Sequence, residues 1–251
     1  MKLDSTAAIV TGGASGLGEA TARYFASQGA QVTLLDRDAA RGESVAKEIG
    51  GHFVMTDVTD EASVQKAVDH AQEKMGWITA AVNCAGIALG IKTTGRDGPH
   101  PLDAFQRTVD INLVGSFNVA RLAAVAMAKN TPEDDGARGV IINTASIAAF
   151  DGQKGQAAYA ASKGGIVGMT LPMARDLAKD GIRVMTIAPG IFKTPMLAGL
   201  PEEVQADLAK DVPNPPRLGD PLEYGRLAGF IVEMGYLNGE VIRLDGALRM
   251  R

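Results

Sequence analysis

Tyr159 and Lys163 stand four residues apart in the run YAASK, a separation that puts both side chains on one face of a helix, one turn apart. A free phenol gives up its proton near pH 10, too high for a base at neutral pH, but a neighbouring ammonium favours the phenolate and lowers that value. Tyr159 is therefore a candidate to take a proton from an alcohol, with Lys163 as the group that tunes it. Ser146 closes the apolar run that ends in NTAS, and a hydroxyl at the carboxyl edge of a sheet can hold the substrate oxygen. Each of the three also has an ordinary use on a helix face or after a strand. Their combination with a cofactor motif is what points to chemistry.

That motif is TGGASGLG, Thr11 to Gly18, with glycines at 12, 16 and 18. It follows a short apolar run and opens an amphipathic one, so it reads as a turn from strand to helix. Glycine lets backbone approach a pyrophosphate closely, and the free amides at the start of the helix favour an anion. Gly12, Ser15, Gly16, Leu17 and Gly18 are the candidate contacts. The spacing is neither G-x-G-x-x-G nor a P-loop. Asp36 ends the next apolar run, where a carboxylate accepts bonds from ribose hydroxyls and repels a 2′-phosphate; this favours NAD over NADP. Arg37 beside it is the complication, because a guanidinium there could meet such a phosphate.

The elements that must position these groups follow from hydrophobic periodicity. Short apolar runs at 6–11, 31–36, 52–56, 78–83, 140–146, 182–188 and 241–244 alternate with helix-like stretches at 17–28, 38–49, 60–75, 102–129, 157–179 and 221–234. This alternation predicts an α/β chain: a Rossmann-type doubly wound fold with a seven-stranded parallel sheet and helices on both faces. No composition shift divides residues 1–251, so one domain is expected. Segments 88–101 and 190–220 break the alternation and are candidate substrate loops. Pro172 is expected to kink or end its helix.

Composition narrows the function. The net charge of −4 gives no general attraction for nucleic acid or anionic membrane, and no run of about 18 apolar residues is apparent. The single cysteine, Cys84, suits a reducing compartment, and the three histidines lack zinc spacing, so no metal is expected. A small-molecule partner and a cytoplasmic location are the reading, with the mitochondrial matrix as the alternative.

Taken together, TGGASGLG, Asp36, TDVT at 56–59, NCAG at 83–86, INLVG at 111–115, Ser146, YAASK and PGIFKT at 189–194 resemble the short-chain dehydrogenase/reductase family along nearly the whole chain. The resemblance implies a tetrad of Asn112, Ser146, Tyr159 and Lys163, with Asn112 serving a water-linked proton path behind Lys163. It implies that Tyr159 and Lys163 also touch the cofactor. Asp57 and Val58 would form the adenine pocket, Asn83 and Gly86 the strand end beside the cofactor, and Pro189, Ile191 and Thr194 the nicotinamide contact. The family's second asparagine in NNAG is Cys84 here, which puts one structural hydrogen bond in doubt.

Within the family, AVNCAGIALGIKTTG, the run from Gly139 to Ala178 and the end LNGEVIRLDGALRM resemble the branch that oxidises 3-hydroxyacyl-CoA, which implies an acyl-CoA substrate and a homotetramer. Lys92, Arg96 and His100 are candidate contacts for CoA phosphates, and Gln153 and Gln156 for the acyl group. The apolar runs 117–128 and 166–178 are candidate subunit contacts. A dehydrogenase of a hydroxysteroid or another secondary alcohol, and a nucleotide-binding regulator without chemistry, are the alternatives.

Overall fold

Strand β1 (Ala7–Thr11) buries all five residues, and its side chains alternate between two cores: Ala7 and Ile9 enter one, Ala8 and Val10 the other. A strand apolar on both faces has to be covered on both. In the computed structural model it lies inside a seven-stranded parallel sheet of order β3 (His52–Met55), β2 (Gln31–Asp36), β1, β4 (Ala80–Asn83), β5 (Gly139–Thr144), β6 (Ile182–Pro189) and β7 (Val241–Leu244). The structure describes residues 1–96, 98–133, 135–198 and 202–250, with the backbone alone at 196, 198, 202 and 204–206. The expected loops 88–101 and 190–220 therefore each include residues outside the described set.

Helices α1 (Gly16–Ser27), α2 (Ala39–Ile49) and α9 (Pro221–Glu233) cover one face, burying Phe25, Val45 and Ile231. Helices α3 (Glu61–Met75), α5 (Gly115–Met127) and α6 (Ala157–Asp176) cover the other with Val64, Val119 and Met173. Their ends follow local chemistry. Asp38 accepts from the Arg41 amide to start α2, which stops at Gly50 with φ +68°. Asp220 and Glu223 form a reciprocal capping box around Pro221. The chain runs outward from β1 to β3, then returns to β4 on the other side of β1. The loops after β1 and β4 thus part in opposite directions and open a cleft at the carboxyl ends.

The structure differs from the periodicity in four places. The single helix expected over 102–129 is α4 (Leu102–Val109), a π turn at Asp110–Val114 and α5, so one extra residue is accommodated at Asn112. Leu102–Met127 is long and apolar enough to cross a membrane by length and composition, which the sequence reading did not register. Half of its most apolar 18-residue window is buried, and the stretch packs on α3, α6 and the sheet as a core helix does. Helix α6 continues through Pro172 and ends four residues later. Segment 88–101 carries a two-residue hairpin, Thr94–Gly95 with Gly98–Pro99, and segment 190–220 carries the short helices α7 (Pro195–Ala198) and α8 (Glu202–Lys210).

Candidate active site

The turn between β1 and α1 has Gly12 at φ +63° and Gly16 at φ +57°, conformations that L side chains rarely adopt. A Cβ on Gly18 would lie 2.2 Å from the Gly12 carbonyl oxygen, so the turn and the helix close on each other only without one. Ser15 is the N-cap of α1, yet its side chain makes no capping bond, leaving the amides of the first turn facing the cleft. Asp36 braces the turn: its carboxylate accepts from the amides of Ala14 and Asp38, each at 3.0 Å. Arg41 donates to the Ala14 carbonyl and to Glu19 at 2.8 Å. Arg37 points to Asp57, 3.8 Å away. Hydrogen bonds from Thr59, with Arg37 as a smaller influence, hold the Asp57 carboxyl below its ordinary value. A cleft of about 450 Å³ runs from this turn past Gly86 to Ser146, Tyr159 and Lys163.

At that far end Ser146 caps a 3-10 turn (Ile147–Ala149), its Oγ accepting the Ala148 amide at 3.1 Å, and it also hydrogen-bonds the Tyr159 phenol. Burial raises the phenol above its ordinary value, and the Ser146 bond pulls it back. The expectation that Lys163 already lowers it is not what the geometry gives. The Lys163 Nζ lies 5.8 Å from the centre of the Tyr159 ring and donates to the Thr144 carbonyl at 2.7 Å. Burial brings Lys163 itself down to about 8.

Of the expected residues, Gly12, Ser15, Gly16, Leu17, Gly18, Asp36, Asp57, Val58, Gly86, Ser146, Tyr159, Lys163, Pro189 and Thr194 line this one cleft. Five lie elsewhere. Asn83 points into the sheet, its Nδ2 donating to the Ser116 carbonyl and to Asn143 Oδ1. Ile191 packs with Ile147, Val212 and Leu248. Gln153 and Gln156 lie on the turn before α6, where Gln156 Oε1 accepts from the Gln153 backbone amide at 2.9 Å. Asn112 is buried behind the wall, where its Oδ1 accepts from the Ile87 amide at 2.8 Å and its Nδ2 donates to Ser162 Oγ at 3.0 Å. Ser162 Oγ in turn donates to the Tyr159 carbonyl, so Asn112 braces the helix that carries the phenol. In the hairpin segment Lys92 and Arg96 are exposed, while the His100 ring bonds the Pro101 carbonyl and meets Phe105 edge to face. Arg41, Thr144, Cys84 and Ile111 belong to the site or its support without having been singled out for it. Arg41 has no motif to mark it, and Thr144 acts through its backbone, which no residue type announces.

A family model described as short chain dehydrogenase matches residues 6–205. The 3-hydroxyacyl-CoA dehydrogenase type-2 of Rattus norvegicus is 58% identical over 97% of this chain and 95% of its own length. The protein of that name from Drosophila melanogaster is 56% identical over 99% of each. A crystal structure of 3-hydroxyacyl-CoA dehydrogenase type-2 from Mycobacterium avium superimposes with a TM-score of 0.94, at 44% identity, over 99% of this chain and 97% of that one. A match of this extent, on a sheet whose strand ends carry a phosphate turn and a Ser-Tyr-Lys group in one cleft, settles the matter of kinship. The chain belongs to the short-chain dehydrogenase family, oxidoreductases that use a nicotinamide cofactor on small-molecule substrates.

Proposed function

We propose that the protein oxidises the 3-hydroxyl of a 3-hydroxyacyl-CoA with NAD as the hydride acceptor. The observation that carries the reading is that Ser146, Tyr159 and Lys163 end in the same cleft as the glycine turn and Asp36. The residues fit a dinucleotide: the turn admits no side chain at Gly18, and the first amides of α1 face the cleft. Asp36 supplies acceptors for a ribose diol and a charge that disfavours a 2′-phosphate, while Arg37 is directed at Asp57. Bound NAD supplies the acceptor for the hydride that leaves the carbinol carbon.

The chain's own groups manage the proton. Ser146 Oγ holds the substrate hydroxyl against Tyr159, and Tyr159 Oη takes the hydroxyl proton as the carbonyl forms. Lys163, charged at neutral pH, favours the phenolate when both are in the loaded site. Asn112 and Ser162 keep the turn of α6 that bears Tyr159 in register with the wall. The acyl-CoA choice draws on the printed activity of the relatives at 58% and 56% identity. Lys92 and Arg96, exposed in the hairpin segment, are the cations we assign to the CoA phosphates. Exposed Val114, Phe117 and Val125 at α5 and Leu171 on α6 support a homotetramer joined through these helices.

The test follows absorbance of the reduced nicotinamide with L-3-hydroxybutyryl-CoA, first with NAD and then with NADP. Rapid turnover with NAD supports the reading. Turnover of a hydroxysteroid or a simple secondary alcohol but not of the thioester would replace the substrate, and NAD binding without turnover on any of them would leave a regulator. Sedimentation at micromolar concentration tests the tetramer.

A further inference from the structure

We infer that Tyr224, on α9 and outside the cleft, is a positioning residue for Lys163, acting through Thr144. The inference rests on the assignment of Lys163 to the reaction made above. Tyr224 is fully buried, and its hydroxyl sits 2.6 Å from Thr144 Oγ1. The same Thr144 offers its carbonyl to Lys163 Nζ at 2.7 Å. One residue at the end of β5 thus faces two ways, its side chain toward α9 and its backbone toward the ammonium. Cys84 completes the group from the end of β4, its Sγ lying 3.6 Å from Thr144 Oγ1 and 3.8 Å from the Tyr224 hydroxyl.

Volume alone does not explain a tyrosine here, because phenylalanine fills the same space without a hydroxyl that must be satisfied. Burial holds the Tyr224 phenol well above its ordinary value, so it remains a neutral hydrogen-bonding group throughout the working range. The titratable groups that face Lys163 are Tyr159, from its own helix, and Cys84, from the end of β4; Ser146 adds a neutral hydroxyl. Burial disfavours the Lys163 charge and Cys84 favours it, and the Thr144 carbonyl accepts the hydrogen bond that the ammonium makes among the described residues. Anchoring that carbonyl from the far side of the sheet keeps the ammonium where Tyr159 can use it. Cys84, standing where the family pattern has asparagine, marks the same spot in the sequence.

The experiment compares Tyr224→Phe, Thr144→Val and Thr144→Ser with wild type, reading the Lys163 titration by NMR on protein with labelled lysine, assigned through Lys163→Met. The pH profile of kcat with NAD and L-3-hydroxybutyryl-CoA is the second readout. Losing one buried hydrogen bond should lower the Lys163 titration and the alkaline limb of kcat by about 0.5 to 1 pH unit, and reduce kcat above that limb by about three- to tenfold. Tyr224→Phe and Thr144→Val should act alike, their combination should add little, and Thr144→Ser should bring the titration back toward wild type. An unmoved Lys163 titration in Tyr224→Phe, whatever its melting temperature, overturns the inference. If Tyr224→Phe does not fold, the contrast between Thr144→Val and Thr144→Ser decides, and equal titrations in those two overturn it. Wild-type turnover in Lys163→Met would instead sink the catalytic reading, a result separate from the titration.

Discussion

At the glycine-turn end of the cleft the lining groups are backbone amides, on a turn shaped by Gly12 and Gly16 at positive φ, and the Asp36 carboxylate at the end of β2. At the catalytic end they are the side chains of Ser146, Tyr159 and Lys163, carried on a strand end and a helix, with Lys163 only 5% exposed. The first end is made by leaving atoms out, so its tolerance is steric and local. The second is made by placing ionisable groups out of water, so the fold carries an electrostatic cost there. Binding and chemistry therefore have different weak points, and substitutions at the two ends should fail in different ways.

The largest effect belongs to the catalytic end. Tyr159→Phe should lower kcat by about 10²- to 10⁴-fold, the usual worth of a positioned acid-base group, while NAD affinity measured by calorimetry stays within about threefold. Loss of binding and turnover together would erase the distinction between the ends.

Lys163→Met sharpens the comparison through stability. Lys163 titrates at about 8 in the fold against 10.5 ordinarily, so the folded chain holds this proton less well than the unfolded one. The destabilisation is complete below about 8 and fades as pH rises toward 10.5. The methionine variant should be inactive yet more stable at pH 7 by up to roughly 3 kcal/mol, with the gain shrinking above pH 8. Thermal unfolding at pH 7 and 10 checks this, and a variant less stable at pH 7 would show that Lys163 holds the fold together.

Gly18→Ala probes the other end. Its methyl would meet the Gly12 carbonyl, a backbone atom with no side-chain freedom to swing aside, so the turn must shift. We expect a stability loss of about 1–3 kcal/mol and a fall in NAD affinity of at least about tenfold, with the Lys163 titration unchanged. A wild-type NAD isotherm would mean that the turn is not the phosphate site.

The smallest effect is expected at Asp36. Asp36→Asn removes the charge and, with an NH2 in place of one acceptor oxygen, one of the two amide contacts at 3.0 Å, so the preference for NAD over NADP, measured as a ratio of kcat/KM, should fall by about tenfold. An unchanged ratio would assign cofactor choice to Arg37 or its neighbours.

Much of this architecture was legible in the residues. The strands around β1 and β4 are short runs of Ala, Val and Ile bounded by glycine and polar turns, and their alternation with amphipathic stretches leaves few topologies open. Where the reading missed, long-range packing decided. Nothing in INLVG announces a π turn, which forms where Asn112 must satisfy Ile87 on one side and Ser162 on the other. Asn83, Ile191, Gln153 and Gln156 have suitable chemistry and neighbour the right motifs. Asn83 instead bonds Asn143 and the Ser116 carbonyl, Ile191 packs in an apolar cluster, and Gln156 Oε1 takes the Gln153 backbone amide.

By itself the sequence determined the parts whose physics is local: the period of the strands and helices, the turn that only glycine can make, and the one-turn separation of Tyr159 from Lys163. Only the tertiary structure decided which carbonyl receives the ammonium, how far burial moves the phenol and the amine from their ordinary values, and that Tyr224 on a distant helix reaches Thr144. Desolvation and hydrogen bonding between remote segments depend on what surrounds a group in space, and chain order carries no record of that.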